Sequence, residues 1–125
     1  MYRELDHTAD VRYEIVCDSL KCIFSDLIEI FKDHYSPVFL DECTVVEYDI
    51  NKSIEDLVFD VVNDWIYMID AKKLFPKECE VQQKLLVRFC KVQKIHGTEF
   101  KALTYHGLQI VEEKNILKLK VVFDT

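Results

Sequence analysis

Hydrophobic and polar residues alternate along several stretches of the chain. In residues 10–17 and again in residues 116–123, every second residue is apolar. A period of two is typical of a strand that buries one face. Shorter stretches follow the same pattern, and six strands are therefore predicted, at residues 2–6, 10–17, 44–50, 85–90, 103–111 and 116–123, with a hairpin turn at residues 112–115.

Two other stretches repeat their apolar residues at helical spacing. The first follows a candidate N-cap at Asp18 or Ser19, runs for about 15 residues and stops before Pro37. The second begins at Ser53 and extends to residue 70. Asp56 stands three residues after Ser53, which resembles a capping box with a shorter acid. Both stretches predict amphipathic helices.

The order of these elements indicates the fold class. Strands come first, two helices lie in the middle, and strands return at the end. This order predicts an α+β fold, with an antiparallel β-sheet or sandwich and two α-helices packed on it. Only two glycines and two prolines occur among the 125 residues, and no linker or repeat is visible. One domain over residues 1–125 is predicted.

Charge and cysteine usage narrow the choice of partner and compartment. The net charge is −7, whereas proteins that grip nucleic acid alone usually present a basic patch. A cation or a basic protein is the better partner. No apolar run approaches the ~20 residues of a membrane span. The five cysteines include no C-x-x-C pair, which favours reduced thiols in a cytosolic protein.

Acidic groups close to both chain ends are candidate metal ligands. Residues 7–10 read HTAD, and the chain ends at Asp124 and Thr125. If the last strand ends beside residues 7–10, then Asp10, Asp124 and the terminal carboxylate converge. Three hard oxygens suit Ca²⁺, Mg²⁺ or Mn²⁺ rather than zinc. The alternatives are an ordinary turn at residues 7–10 and a frayed C-terminus.

A second polar segment, KALTYHG at residues 101–107, ends or interrupts a strand. Gly107 is expected to allow a close backbone approach. On its own, His106 is more often a surface histidine than a base or a ligand.

Four segments in order resemble the archease family. They are HTAD at residues 7–10, the helix at residues 53–67, KALTYH at residues 101–106, and VVFDT at residues 121–125. One of them alone is a weak signal, but four in the right order cover most of the chain. Arg12 departs from the family pattern, which often has a small residue there.

The resemblance implies a function that spacing does not reveal. Archeases are cytoplasmic, chaperone-like accessory proteins that activate the GTP-dependent tRNA-splicing RNA ligase. They promote guanylylation of the ligase's active-site histidine and multiple turnover in tRNA processing and RNA repair. Family members bind a divalent metal such as calcium, and the matching ligands here are Asp10, Asp124 and Thr125. The other polar residues of the motifs are expected to support these ligands or face the ligase, namely His7, Lys101, Tyr105 and His106.

Two other functions stay open at this point. One is a chaperone-like interaction module for an RNA-modifying enzyme, without a functional metal. The other is a metal-dependent hydrolase that uses Asp10, His106 and Asp124 to activate water. The leading hypothesis is a metal-binding activator that catalyses no reaction itself.

Overall fold

A computed structural model describes residues 1–5 and 10–125 of the chain. Within these residues, eight strands and two helices follow one another. In chain order they are β1 (Tyr2–Leu5), β2 (Val11–Cys17), α1 (Leu20–Tyr35), β3 (Pro37–Tyr48), α2 (Ile54–Lys72), β4 (Leu74–Val81), β5 (Leu85–Ile95), β6 (Ala102–Leu103), β7 (Gln109–Glu113) and β8 (Ile116–Asp124).

The strands form two antiparallel sheets. The first has the order β1-β2-β8-β6, and β7 also pairs with β8, while the second has the order β3-β5-β4. Helix α1 contacts β2 and β4, and α2 contacts β4, β6 and β7, so both helices touch strands of both sheets. The predicted α+β class, with two helices packed on antiparallel sheet, is confirmed. Strand β8 is the central strand of the first sheet.

The two helices begin where the caps predict. The Ser19 hydroxyl oxygen accepts a hydrogen bond from the backbone N–H of Cys22 at 3.2 Å. The Ser53 oxygen accepts one from the N–H of Asp56, also at 3.2 Å. Each bond satisfies one of the donors that a helix start leaves unpaired. Across residues 1–5 and 10–125, no helix is long and apolar enough to cross a membrane.

The strand predictions need several corrections. Strand β3 begins at Pro37 rather than at residue 44, β5 continues to Ile95 rather than to residue 90, and β4 was not predicted. Pro76 lies at a register shift, where its missing N–H costs no regular ladder bond. The predicted strand 103–111 is two strands, β6 and β7. The hairpin turn between β7 and β8 consists of Lys114 and Asn115 alone, rather than residues 112–115. Both residues have positive φ, as the favoured two-residue hairpin turn requires.

An aromatic cluster lies beneath the end of β8. The ring of Phe100 stacks on Phe123 at 3.9 Å and on His34 at 4.1 Å between centroids. Phe31 meets both Phe100 and Phe123 edge to face. Since Phe123 is fully buried and directly precedes Asp124, this packing fixes the position from which the last residues leave the sheet.

The cysteine prediction is wrong for four of the five residues. Disulfides join Cys17 to Cys22 and Cys43 to Cys90, and only Cys79 is free. Cys43 and Cys90 are direct partners across β3 and β5. This pairing depends on strand register, which the spacing along the chain does not reveal.

Candidate metal centre at the end of the last strand

The pairing of β2 with β8 ends next to the two predicted aspartates. Val11 is the cross-strand partner of Phe123, and both side chains point into the core. Asp10 precedes Val11 in a bend outside β2, and Asp124 ends β8, so the two acids adjoin the last pair of this register. If the pairing continued by one position, Asp10 would face Asp124, at the Cα separation of about 4.5–5.5 Å that facing residues of antiparallel strands have.

The backbone around Asp124 is held from the other side as well. The N–H of Lys101 donates to the carbonyl oxygen of Asp124 at 2.7 Å, and Ala102 is its cross-strand partner. Thr125 then lines an open cleft of about 630 Å³ together with Lys101 and Asn63. The predicted ligand pair, the chain end and Lys101 therefore share one end of the first sheet.

Asn63 holds this arrangement in place, and the sequence reasoning missed it. Its side-chain oxygen accepts from the N–H of Leu103 at 2.9 Å, and its amide nitrogen donates to the Leu103 carbonyl at 3.4 Å. The same nitrogen donates to the Phe59 carbonyl at 3.0 Å. The amide thus pairs with β6 as a neighbouring strand would. The available signal was an amide directly after the buried pair Val61 and Val62 of α2.

Tyr105 is directed to α2 rather than to the aspartates. Its hydroxyl donates to Asp56 Oδ1 at 2.9 Å, and its ring meets Phe59 edge to face at 5.1 Å. The hydrogen bond to the Asp56 carboxylate raises the pKa of Tyr105. The side chain is 49% exposed, so the ring both ties the turn after β6 to the helix and remains accessible to a partner.

The remaining motif residues differ in their surroundings. His106 is exposed in the turn between β6 and β7. A Cβ on Gly107 would lie 2.5 Å from Val122 Cγ2, which confirms the predicted close approach. His7 lies outside the described residues. Arg12, two residues after Asp10, is exposed and borders a shallow cavity together with Lys120.

The set of residues that the hydrolase hypothesis needs is not assembled. In the part of the chain that the structure describes, one group of three histidine, cysteine or acidic side chains is compact enough to hold an ion, and it consists of Cys17, Cys22 and Asp26. Asp10, His106 and Asp124 do not form such a group.

These features describe a small α+β protein with acidic residues beside the end of the central strand of its first sheet. The sequence profile of the Archease protein family (MTH1598/TM1083) matches residues 2–125. The chain therefore belongs to the archease family, as the four sequence segments predicted.

Individual relatives agree with this assignment. Protein archease of Thermotoga maritima is 38% identical over 126 residues, which span all of both chains. Protein archease of Ictalurus punctatus is 28% identical over 90% of this chain and 78% of its own. The crystal structure of the Thermotoga maritima archease, described as a possible chaperone, superposes with a TM-score of 0.86, covering 98% of this chain and 96% of that one.

A more distant structure resembles this chain in fold. It is the solution structure of Methanobacterium thermoautotrophicum protein 1598, which is 20% identical and superposes with a TM-score of 0.77, covering 99% of this chain and 98% of that one. At this identity, the likeness supports the fold alone.

Proposed function

We propose that this archease binds a divalent metal through Asp10, Asp124 and the carboxylate of Thr125, and activates the GTP-dependent tRNA-splicing RNA ligase. In this role it promotes guanylylation of the ligase's active-site histidine and multiple turnover, without catalysing a reaction itself. The observation that carries the proposal is the pairing of Val11 with Phe123, because Asp10 and Asp124 are the chain neighbours of this pair.

The chemistry of the donors decides the class of metal. Carboxylate oxygens are hard ligands, which Ca²⁺, Mg²⁺ and Mn²⁺ prefer and which do not select for zinc. Asp10 and Asp124 are both partly exposed, so water or oxygen atoms of the ligase can complete the coordination. A bound ion would neutralise this acidic end of the sheet and present open positions to the partner.

The residues around the acids suit contact with a protein. Lys101 is exposed beside the chain end, Tyr105 is half-exposed, and His106 is exposed in the adjacent turn. A net charge of −7 argues against tight binding to RNA by this chain alone and suits a basic partner surface. We therefore propose that the ligase contacts this end of the molecule. The proposed place of action is the cytoplasm.

The test combines metal titration with ligase stimulation. Asp10→Asn and Asp124→Asn are compared with Asp41→Asn, which removes an exposed acid of β3 in the other sheet. Calorimetry with Ca²⁺ and Mn²⁺ is expected to show saturable binding in the wild type and the Asp41 variant, and at least about tenfold weaker binding in the other two. Transfer of GMP from GTP to the purified ligase should be stimulated only by the proteins that bind metal. Full stimulation by both site variants would contradict the proposal.

A chaperone-like role without metal is the second candidate. It is favoured by the description of the Thermotoga maritima relative as a possible chaperone, and by the open cleft in which Tyr67 is 57% exposed. In that case no saturable binding occurs at millimolar ion, and Asp124→Asn protects an RNA-modifying enzyme from aggregation as well as the wild type does.

A further inference from the structure

Two sulfurs and a carboxylate meet where β2 gives way to α1. Cys17 is the last residue of β2, Cys22 lies in the first turn of α1, and Asp26 follows one turn later. One ligand atom from each residue lies within 4.8 Å of the others. This group is at the opposite end of β2 from Asp10, so it is separate from the site proposed above.

The start of helix α1 arranges these residues. The Ser19 oxygen holds the N–H of Cys22 at 3.2 Å, which fixes the first turn. Asp26 stands four residues after Cys22, so the two side chains lie on the same face of the helix. This geometry directs both side chains to the place where β2 ends.

The two sulfurs are joined in a disulfide, so reduction must separate them before both can bind an ion. The distance from sulfur to carboxylate already suits a tetrahedral metal site. Cys17 Sγ lies 3.6 Å from Asp26 Oδ2. Zinc bonds of about 2.3 Å to sulfur and about 2.0 Å to oxygen, at a tetrahedral angle, separate the two ligand atoms by about 3.5 Å. The same Oδ2 atom is in contact with the Met1 ammonium group, so a cation already faces this carboxylate. Cys22 and Asp26 are both partly exposed, which leaves a route for an ion.

We propose that the Cys17–Cys22 pair, once reduced, binds a zinc-class divalent ion together with Asp26. A dithiol or a phosphine supplies two electrons to the disulfide, the S–S bond breaks, and each sulfur gains a proton while the reductant is oxidised. The ion then replaces those protons, and water or the Met1 amine occupies the fourth position. The disulfide and the ion exclude each other, so occupancy follows the redox state. Thiolate ligands select zinc over calcium or magnesium.

Cobalt is the probe, because tetrahedral Co²⁺ bound to thiolate gives an ultraviolet charge-transfer band that carboxylate sites lack. The full chain is reduced anaerobically with TCEP, its free thiols are counted, and Co²⁺ is titrated. We expect one Co²⁺ per chain with this band, displacement by Zn²⁺ and no displacement by Ca²⁺. The unreduced protein should show no band. This comparison needs no substitution, so misfolding of a variant cannot obscure it.

Variants then assign the ligands. Asp26→Asn should weaken Co²⁺ binding more than about 100-fold, since loss of even an outer partner of a ligand costs 10–100-fold. Cys17→Ser should abolish most of the band, whereas Asp124→Asn should leave it unchanged. The proposal is overturned if the reduced chain shows no band, if the Cys17–Cys22 bond resists reduction in the folded protein, or if Cys17→Ser retains the full band. None of these results bears on the oxygen site at the other end of β2.

Discussion

The two sites proposed at the ends of strand β2 differ in ligand chemistry. At the proposed oxygen end, defined by Asp10, Asp124 and Thr125, the donors lie far apart in the sequence and adjoin the pairing of β2 with β8. At the sulfur end, defined by Cys17, Cys22 and Asp26, the donors lie within ten consecutive residues and are arranged by one strand end and one helix start. The oxygen end therefore depends on the whole sheet, while the sulfur end depends on local structure.

The largest expected effect comes from removing the aromatic support of the oxygen end. Phe123→Ala deletes a fully buried ring that stacks on Phe100 at 3.9 Å. Burial of this kind makes the expected loss of unfolding free energy about 3–5 kcal/mol, measurable by urea denaturation. At a temperature where the variant is still folded, Mn²⁺ binding should weaken while the cobalt band of the sulfur end persists. Equal damage to both ends would refute the contrast.

The next effect concerns the amide that holds β6. Asn63→Ala leaves the N–H of Leu103 without its 2.9 Å acceptor, in a residue that is only 2% exposed. An unpaired buried donor costs about 1–3 kcal/mol. Metal affinity should also fall, because β6 fixes the backbone of Asp124. Asn51→Ala, at an exposed position before α2, is the control and should change neither quantity.

The sequence predicts correctly those elements in which apolar residues recur at a regular spacing. The alternation in β2 and β8 and the helical stripes of α1 and α2 agree with the structure, whereas the convergence of Asp10 and Asp124 stays a prediction. Strand β4 was missed because its burial does not follow a period of two and Pro76 interrupts it. The role of Asn63 was missed because its partners are backbone atoms of Leu103 and Phe59, which leave no trace in the spacing of side chains.

Tyr13, in the middle of β2, makes the stability of the fold depend on pH and serves as a reference between the two ends. Burial, and to a smaller degree the nearby Glu4 and Asp33, raises the pKa of Tyr13 from 10.0 to about 12. The folded state therefore favours the neutral phenol, a contribution that is complete below pH 10 and lost as pH rises through about 12. From pH 9 to 12 the wild type should lose about 1–2 kcal/mol more stability than Tyr13→Phe. If the unfolding free energies of the wild type and Tyr13→Phe, measured by urea denaturation, change in parallel from pH 9 to 12, the ionisation of Tyr13 contributes nothing to stability.

The smallest effect tests the charge next to the oxygen end. Arg12 lies two residues after Asp10 in the chain, which separates them by about 7 Å in an extended backbone. Its positive charge opposes a divalent ion by about 1 kcal/mol in water-like surroundings. Arg12→Ala should therefore strengthen Mn²⁺ binding several-fold in a calorimetric titration at low salt, and the gain should shrink at high salt. The sulfur end should be unaffected.

The central claim is that the pairing of β2 with β8 builds a metal site from the two extremes of the chain. Anomalous diffraction from crystals of the untagged protein soaked with Mn²⁺ tests it most directly. We predict one strong peak with oxygen ligands at about 2.0–2.6 Å from Asp10, Asp124 and the carboxylate of Thr125. A saturating soak that leaves this position without a peak, or a peak that contacts only one of the aspartates, would contradict the account.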